Sequence, residues 1–201
     1  MKNVVLILIC LSSWTLLAPL AIYAQQEEDA YPDWIAWWGG KGMKRYTICD
    51  NSGYYVTGIW NFDHGNNNQS AFMNCTKIKE HIKKTDIEHD RCTDIKVEWF
   101  GGEGVKPWAY CPDGKYAVGF QIKDYGNRNQ AIANMRCCAI GRGRTFHGDS
   151  YVTPVIWSGG PGEKTPAQCK RGYFVTGIQL RDSGKNNQSV AAIRCTQPKV
   201  K

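Results

Sequence analysis

Hydrophobic and polar positions alternate along three stretches of this chain, and the three stretches match one another. Residues 55–75 read YVTGIWNFDHGNNNQSAFMNC, residues 116–137 read YAVGFQIKDYGNRNQAIANMRC, and residues 174–195 read FVTGIQLRDSGKNNQSVAAIRC. In the second copy Val118, Phe120 and Ile122 alternate with Gly119, Gln121 and Lys123; in the third Ile178 and Leu180 alternate with Gln179 and Arg181. A period of two in aromatic and branched residues predicts a half-buried strand. Asp-x-Gly then breaks it, because Asp bonds its own backbone two residues on and Gly accepts positive φ. The next strand sets Ala133, Met135 and Cys137 on one face, matched by Ala191, Ile193 and Cys195 and by Ala71, Met73 and Cys75. Each copy is thus expected to be a twisted hairpin whose last Cys points inward.

A second string repeats in step with the first. Trp37, Trp99 and Trp157 each open W-x-G-G-x-G-x-K, and each lies 12 residues before a Cys (Cys49, Cys111, Cys169). Each of those Cys lies 26 residues before the Cys that closes its hairpin. The segments "DIKVEW" and "YVTPVIW" predict a further strand leading into the Trp. The charged stretch before the first of these, with its densest basic cluster at 76–84, reads as a solvated loop or short helix. The chain therefore divides into a leader, residues 1–24, and one domain, residues 25–201, of three repeats at about 37–98, 99–156 and 157–197. About 60 residues bury little core alone, so three sheets packed face-in around a common axis are expected, and the fold class is all-β.

The leader has Lys2 in a positive n-region, an apolar h-region, and Ile-Tyr-Ala before Gln25. That is the pattern of a secretory signal peptide, and no other apolar stretch is long enough to span a bilayer. Of nine Cys, Cys10 falls in the leader and eight remain, an even number that suits an oxidising compartment. The spacing predicts Cys49–Cys75, Cys111–Cys137 and Cys169–Cys195, with Cys92–Cys138 joining repeats one and two. Exchanging the roles of Cys137 and Cys138 is the alternative. Zinc ligation is disfavoured, since no C-x-x-C occurs. The net charge of +7 is spread along the chain, unlike the concentrated stripe of a nucleic-acid binder. In a secreted protein it points instead to acidic polysaccharides as anionic partners.

The segment CPDGKYAVGFQIK (111–123), preceded by a Gly- and Trp-rich turn and followed by a polar loop and a short strand ending in Cys, resembles the vitelline membrane outer layer protein family. The resemblance covers nearly all of the chain after the leader and is closest in the second repeat. It implies a β-prism of three pseudo-threefold antiparallel sheets in a secreted protein of egg coats and other extracellular fluids, with oligosaccharide binding and a sugar-transfer activity inferred for the family. Where the family carries Asp-Asp-Thr in the polar loop, this chain has Asn68-Gln69-Ser70, Asn129-Gln130-Ala131 and Asn187-Gln188-Ser189. Acid/base chemistry from that loop loses its acidic pair here. The Cys-Cys pair and the "GF" strand also resemble dermatopontin, a matrix protein, whose D-R-x-W boxes this chain lacks.

The candidate ligand residues are Asn68, Gln69, Asn129, Gln130, Asn187 and Gln188, because each amide offers donors and an acceptor and three such loops at one end of a threefold body ring a polar pocket. The three Trp offer flat faces to sugar rings, or else cap the ends of the body. Asp63, Asp124 and Asp182 share one repeat position, so they lack the differently tuned environments that a catalytic carboxylate pair needs. The four His share no repeat position and suggest no metal site. Sequons stand at Asn68, Asn74 and Asn187. The sequence thus leads to a secreted, monomeric coat or matrix protein that binds an oligosaccharide or a glycoprotein, with no cofactor, no metal and no catalytic residue. An enzyme acting on amino-sugar oligomers and a structural matrix component without a small ligand are the alternatives.

Overall fold

The structure, a computed structural model, describes residues 30–35, 42–49, 53–63, 69–77, 91–97, 103–124, 130–140, 145–156, 162–182, 184 and 188–200. The leader, 1–24, lies outside them. The described residues form antiparallel β-sheets and no α-helix. Each repeat contributes the expected hairpin: β3 (Tyr54–Asp63) with β4 (Gln69–Lys77), β8 (Lys115–Asp124) with β9 (Gln130–Ala139), and β13 (Phe174–Asp182) with β14 (Gln188–Val200). The strand that leads into each Trp lies on the outer side of its hairpin: β1 (Ala30–Trp34) on β4, β5 (Cys92–Lys96) on β9 and β10 (Thr145–Pro154) on β14.

The other side of every hairpin is filled from a different repeat. The chain after the first Gly/Trp turn forms β2 (Gly42–Ile48), which pairs with β8. After the second turn, β6 (Gly104–Val105) and β7 (Ala109–Tyr110) pair with β13. After the third, β11 (Gly162–Glu163) and β12 (Ala167–Gln168) pair with β3. Repeat one donates to two, two to three, and three to one. The exchange closes on itself, so every hairpin has both flanks covered, which protects strand edges that otherwise invite aggregation.

The first strands of the hairpins, β3, β8 and β13, each pack on the other two. Between them sit residues at equivalent positions: Val56, Ala117 and Val175, then Ile59, Phe120 and Ile178, with Met73, Met135 and Ile193 from the second strands. All are essentially inaccessible to water. Burying a side chain of this size contributes about 1.5–3 kcal/mol.

Strict alternation fails at one place in each first strand, and for one reason. A β-bulge at Thr57, Val118 and Thr176 shifts the register. An extra residue in one strand turns the following side chains over. Val118 consequently packs away from Phe120 and Ile122, in a second cluster with Tyr55, Tyr116, Phe174, Cys138 and Ile140. There the rings of Tyr55, Tyr116 and Phe174 meet edge to face in a triangle, with centroids 6.4, 5.9 and 6.2 Å apart. The phenols donate to backbone carbonyls, Tyr55 to Ala139 and Tyr116 to Phe146.

All four disulfides form as Cys49–Cys75, Cys111–Cys137, Cys169–Cys195 and Cys92–Cys138. Each of the first three ties the end of a donated segment, in the sheet of the next repeat, to the closing strand of its own hairpin. Three staples therefore link the three sheets in a cycle. Cys92 and Cys138 lie opposite each other on β5 and β9, so this bond joins neighbours within one sheet. The other repeats have a hydroxyl pair beneath the bulge: Thr57 with Thr76 at 2.7 Å and Thr176 with Thr196 at 2.6 Å. Repeat two has Val118 and Cys138 at those positions, and the sulfur turns to Cys92 instead.

Candidate functional site at the polar hairpin ends

The polar loops connect Asp63 to Gln69, Asp124 to Gln130 and Asp182 to Gln188, and each Asp lies opposite its Gln in the hairpin. The starts of the three first strands converge in the aromatic triangle, so Asp63, Asp124 and Asp182 end those strands away from it. Asn68, Asn129 and Asn187 lie outside the described residues, as do Trp37, Trp99 and Trp157. Gln69, Gln130 and Gln188 are placed as the first residues of β4, β9 and β14.

Each hairpin end meets the Gly/Trp turn of the preceding repeat. Gly42 lies opposite Asp124, Gly104 opposite Asp182, and Gly162 opposite Asp63. All three glycines have φ between 114° and 117°, a conformation L side chains rarely adopt, which accounts for the fixed Gly of the motif. Two residues on comes the motif Lys. Lys44 reaches Asp124 at 3.8 Å and Lys106 reaches Asp182 at 3.9 Å, with only 7% and 4% of the Lys side chains accessible. Lys164 is buried at the third junction. Two motifs some 80 to 100 residues apart in sequence thus meet at each of three like places.

This assigns a role to the Asp residues. In the third repeat the Asp182 carboxylate also accepts the Gly184 N–H at 2.9 Å, with Gly184 at φ +77°, as Asp-x-Gly chemistry predicts. A carboxylate committed to a buried ammonium and its own turn holds the hairpin end in place. The motif Lys was missed as a partner, although its signal was in plain view: Lys and Asp both recur in all three repeats, 19, 18 and 18 residues apart.

The junctions are not identical. Asn61 stands where Ile122 and Leu180 stand, and it is fully buried. Its amide donates to Val190 O at 3.0 Å and accepts from Val190 N at 3.1 Å, which ties the ends of β3 and β14 together. Gln121 and Gln179 donate to the carbonyls of Lys44 and Lys106. Trp60 takes that position in repeat one, stacked on Phe72 with centroids 5.0 Å apart.

The sequon at Asn74 falls in mid-strand, between Pro32 of β1 and Gly58 of β3, and its amide donates to Gln168 Oε1 at 2.9 Å. The sequons at Asn68 and Asn187 lie outside the described residues. His147 is held by Asp113, which accepts its backbone N–H, and by the Lys115 carbonyl. Among the described residues no group of His, Cys, Asp and Glu is placed to hold a metal ion, and no helix is long and apolar enough to cross a membrane. Four disulfides are consistent with an extracellular protein. No family model, curated protein or solved structure matches this chain.

Proposed function

We propose that the three sheets form a β-prism about a pseudo-threefold axis, and that the chain is a secreted, non-enzymatic protein of an extracellular coat or matrix that binds oligosaccharides at its polar end. The cyclic strand exchange and the aromatic triangle support the prism. The observation that carries the function is the pairing of the hairpin-end Asp of every repeat with a Gly of the Gly/Trp motif of the preceding repeat: Asp124 with Gly42, Asp182 with Gly104 and Asp63 with Gly162. In sequence each of those Asp residues opens a loop that carries an Asn-Gln pair, and each of those Gly belongs to a motif that begins with a Trp. Asp124 and Asp182 are committed to buried Lys, so amide hydrogen bonds and aromatic stacking are the binding chemistry proposed. Neutral sugars are held by many modest hydrogen bonds, each worth about 0.5–1.5 kcal/mol net.

A glycan array with the deglycosylated protein tests this, together with an Asn129→Ala/Gln130→Ala variant. The expected result is saccharide binding by the wild-type protein, weakened in the variant at nearly unchanged thermal stability. A variant that melts far earlier and binds as before would make the loops structural. Turnover of chito-oligosaccharides, lost in Asp→Asn variants, would restore the enzyme reading.

A further inference from the structure

The outer faces of the three sheets carry the same layout with different chemistry, and the differences single out one face. On the sheet of repeat two, Arg136 makes a bidentate pair with Asp94 of β5, at 2.7 and 2.9 Å, and lies 4.1 Å from the ring centroid of Tyr46 on β2. The Arg136 hydrogen bonds hold the Asp94 carboxyl below the ordinary 3.8. Burial, aided by Asp94, pushes the Tyr46 hydroxyl up to about 12. That arrangement is closed on itself.

Arg194 occupies the equivalent place on the sheet of repeat three. The strand position that holds Asp94 there holds Val152, which lies opposite Arg194 and is 55% exposed. Arg194 donates from Nε and Nη2 to Ser150 Oγ, at 3.1 and 2.6 Å, and sits 5.4 Å from the Tyr110 ring centroid. Among the described residues it has no carboxylate partner. Beside it Trp108 and Tyr110 lie nearly parallel, 8° apart with centroids 5.6 Å from one another, and Tyr110 is 45% exposed. Gly177 allows this: a Cβ there would come within 2.8 Å of the Tyr110 ring. The fold does not require the two aromatics, since Tyr46 and Ile48 fill their places in one sheet and Pro166 and Gln168 in the other.

We infer that the outer face of β7, β13, β14 and β10 is a binding site for an acidic saccharide, whose ring packs against the Trp108–Tyr110 stack while its carboxylate or sulfate pairs with Arg194. The inference rests on the saccharide reading above for the class of ligand and departs from it in place and charge. A flat π-face suits the apolar face of a pyranose. Where Arg136 faces Asp94, Arg194 faces Val152; with Nε and one Nη2 N–H given to Ser150, its remaining Nη1 and Nη2 N–H groups form the end-on fork that pairs with an anion from outside. The net charge of +7 draws such a ligand in.

The test is titration of the full chain with hyaluronan hexasaccharide, heparin-derived hexasaccharide and chitohexaose. Three variants import residues that the fold already carries at the equivalent positions: Tyr110→Ile, Arg194→Asn and Val152→Asp. The expected result is binding of one or both acidic sugars, at least about tenfold weaker binding of the neutral one, and a loss of about tenfold or more in each variant without a shift in melting temperature. Hyaluronan binding assigns the carboxylate, and binding of heparin alone assigns the sulfate. Equal affinity for acidic and neutral sugars, or wild-type affinity in all three variants, overturns the inference. Binding kept in these variants and lost in Asn129→Ala/Gln130→Ala sinks it while the loop reading stands. Binding unaffected by any variant, or no binding at all, defeats both.

Discussion

Replacing Lys106 by methionine removes the ammonium and keeps the stem, so it isolates what the ion pair with Asp182 contributes. At 3.9 Å two unit charges attract by about 4 kcal/mol at an effective dielectric of about 20. Desolvation of both groups offsets much of that, which is why replacing a whole buried pair is often neutral while removing one partner costs about 3–5 kcal/mol. Asp182 keeps 17% of its side chain accessible and Lys106 only 4%, so the stranded carboxylate rehydrates more easily than the stranded ammonium. The expected losses are about 2–3 kcal/mol for Lys106→Met and about 3–4 for Asp182→Asn, although Asn still accepts the Gly184 N–H. The double variant should fall short of additivity by about 1–2 kcal/mol. Urea unfolding at pH 7 with the disulfides intact measures all three, provided the m-values agree. A Lys106→Met protein within about 0.5 kcal/mol of wild type, or a strictly additive double variant, would refute the assignment of Lys and Asp to a structural junction.

Other perturbations separate features that the sequence treats alike. Gly119→Ala should destabilise by about 1–3 kcal/mol or more, because its Cβ would lie 2.1 Å from the Thr47 carbonyl oxygen, whereas at Gly58→Ala the nearest atom is the movable Gln168 Oε1; equal losses in thermal unfolding would count against the close strand approach. Asn61→Leu restores the apolar type of Ile122 and Leu180 yet should cost about 1–3 kcal/mol, since it strands Val190 N–H and C=O; a neutral outcome would mean that the β3–β14 tie carries no weight. Burial pushes the hydroxyls of Tyr55 and Tyr116 well above the ordinary 10.0. Their contribution to stability is therefore complete below pH 10 and is lost as pH rises above it. Absorbance at the tyrosinate band should show these two ionising only with alkaline unfolding, not before it.

Much of the hairpin architecture was legible because its signals are local. Alternation, Asp-x-Gly turns and equal Cys spacing lie within 30 residues of one another, and the strands into Trp99 and Trp157 follow the same rule. The bulges at Thr57, Val118 and Thr176 escaped, since a single extra residue leaves composition unchanged and still reverses the faces on either side of it. The exchanged strands escaped for a different reason. β6, β7, β11 and β12 are two residues each, too short for any period, and Pro107 and Pro166 interrupt them where β2 in repeat one runs unbroken past Arg45. Their partners lie one repeat further along the chain, or two repeats back. Only the paired recurrence of Lys and Asp announced that such a junction exists.

A threefold repeat poses each structural question three times, and the answers sort the residues. Gly42, Gly104 and Gly162 recur because one backbone conformation recurs, and Lys and Asp tie the hairpin ends of repeats two and three to their neighbours. What one repeat alone possesses has no such account. Cys138 stands where the other repeats have one threonine of a hydroxyl pair and bonds Cys92, and Asn61 stands where they have Ile and Leu; both make bonds that explain them. Trp108, Tyr110 and Arg194 on the face of repeat three make fewer; Tyr110 stands exposed and the other two half-buried, where Ile48 and Gln168 serve the same packing as Tyr110. The Asn-Gln pairs are the reverse case, shared by all three repeats, and each Gln opens its strand opposite the hairpin-end Asp. The shared set argues for a ligand at the polar end and the single set for one on a flank. The two sites use different residues, so one panel of variants assayed for binding and for stability assigns each separately.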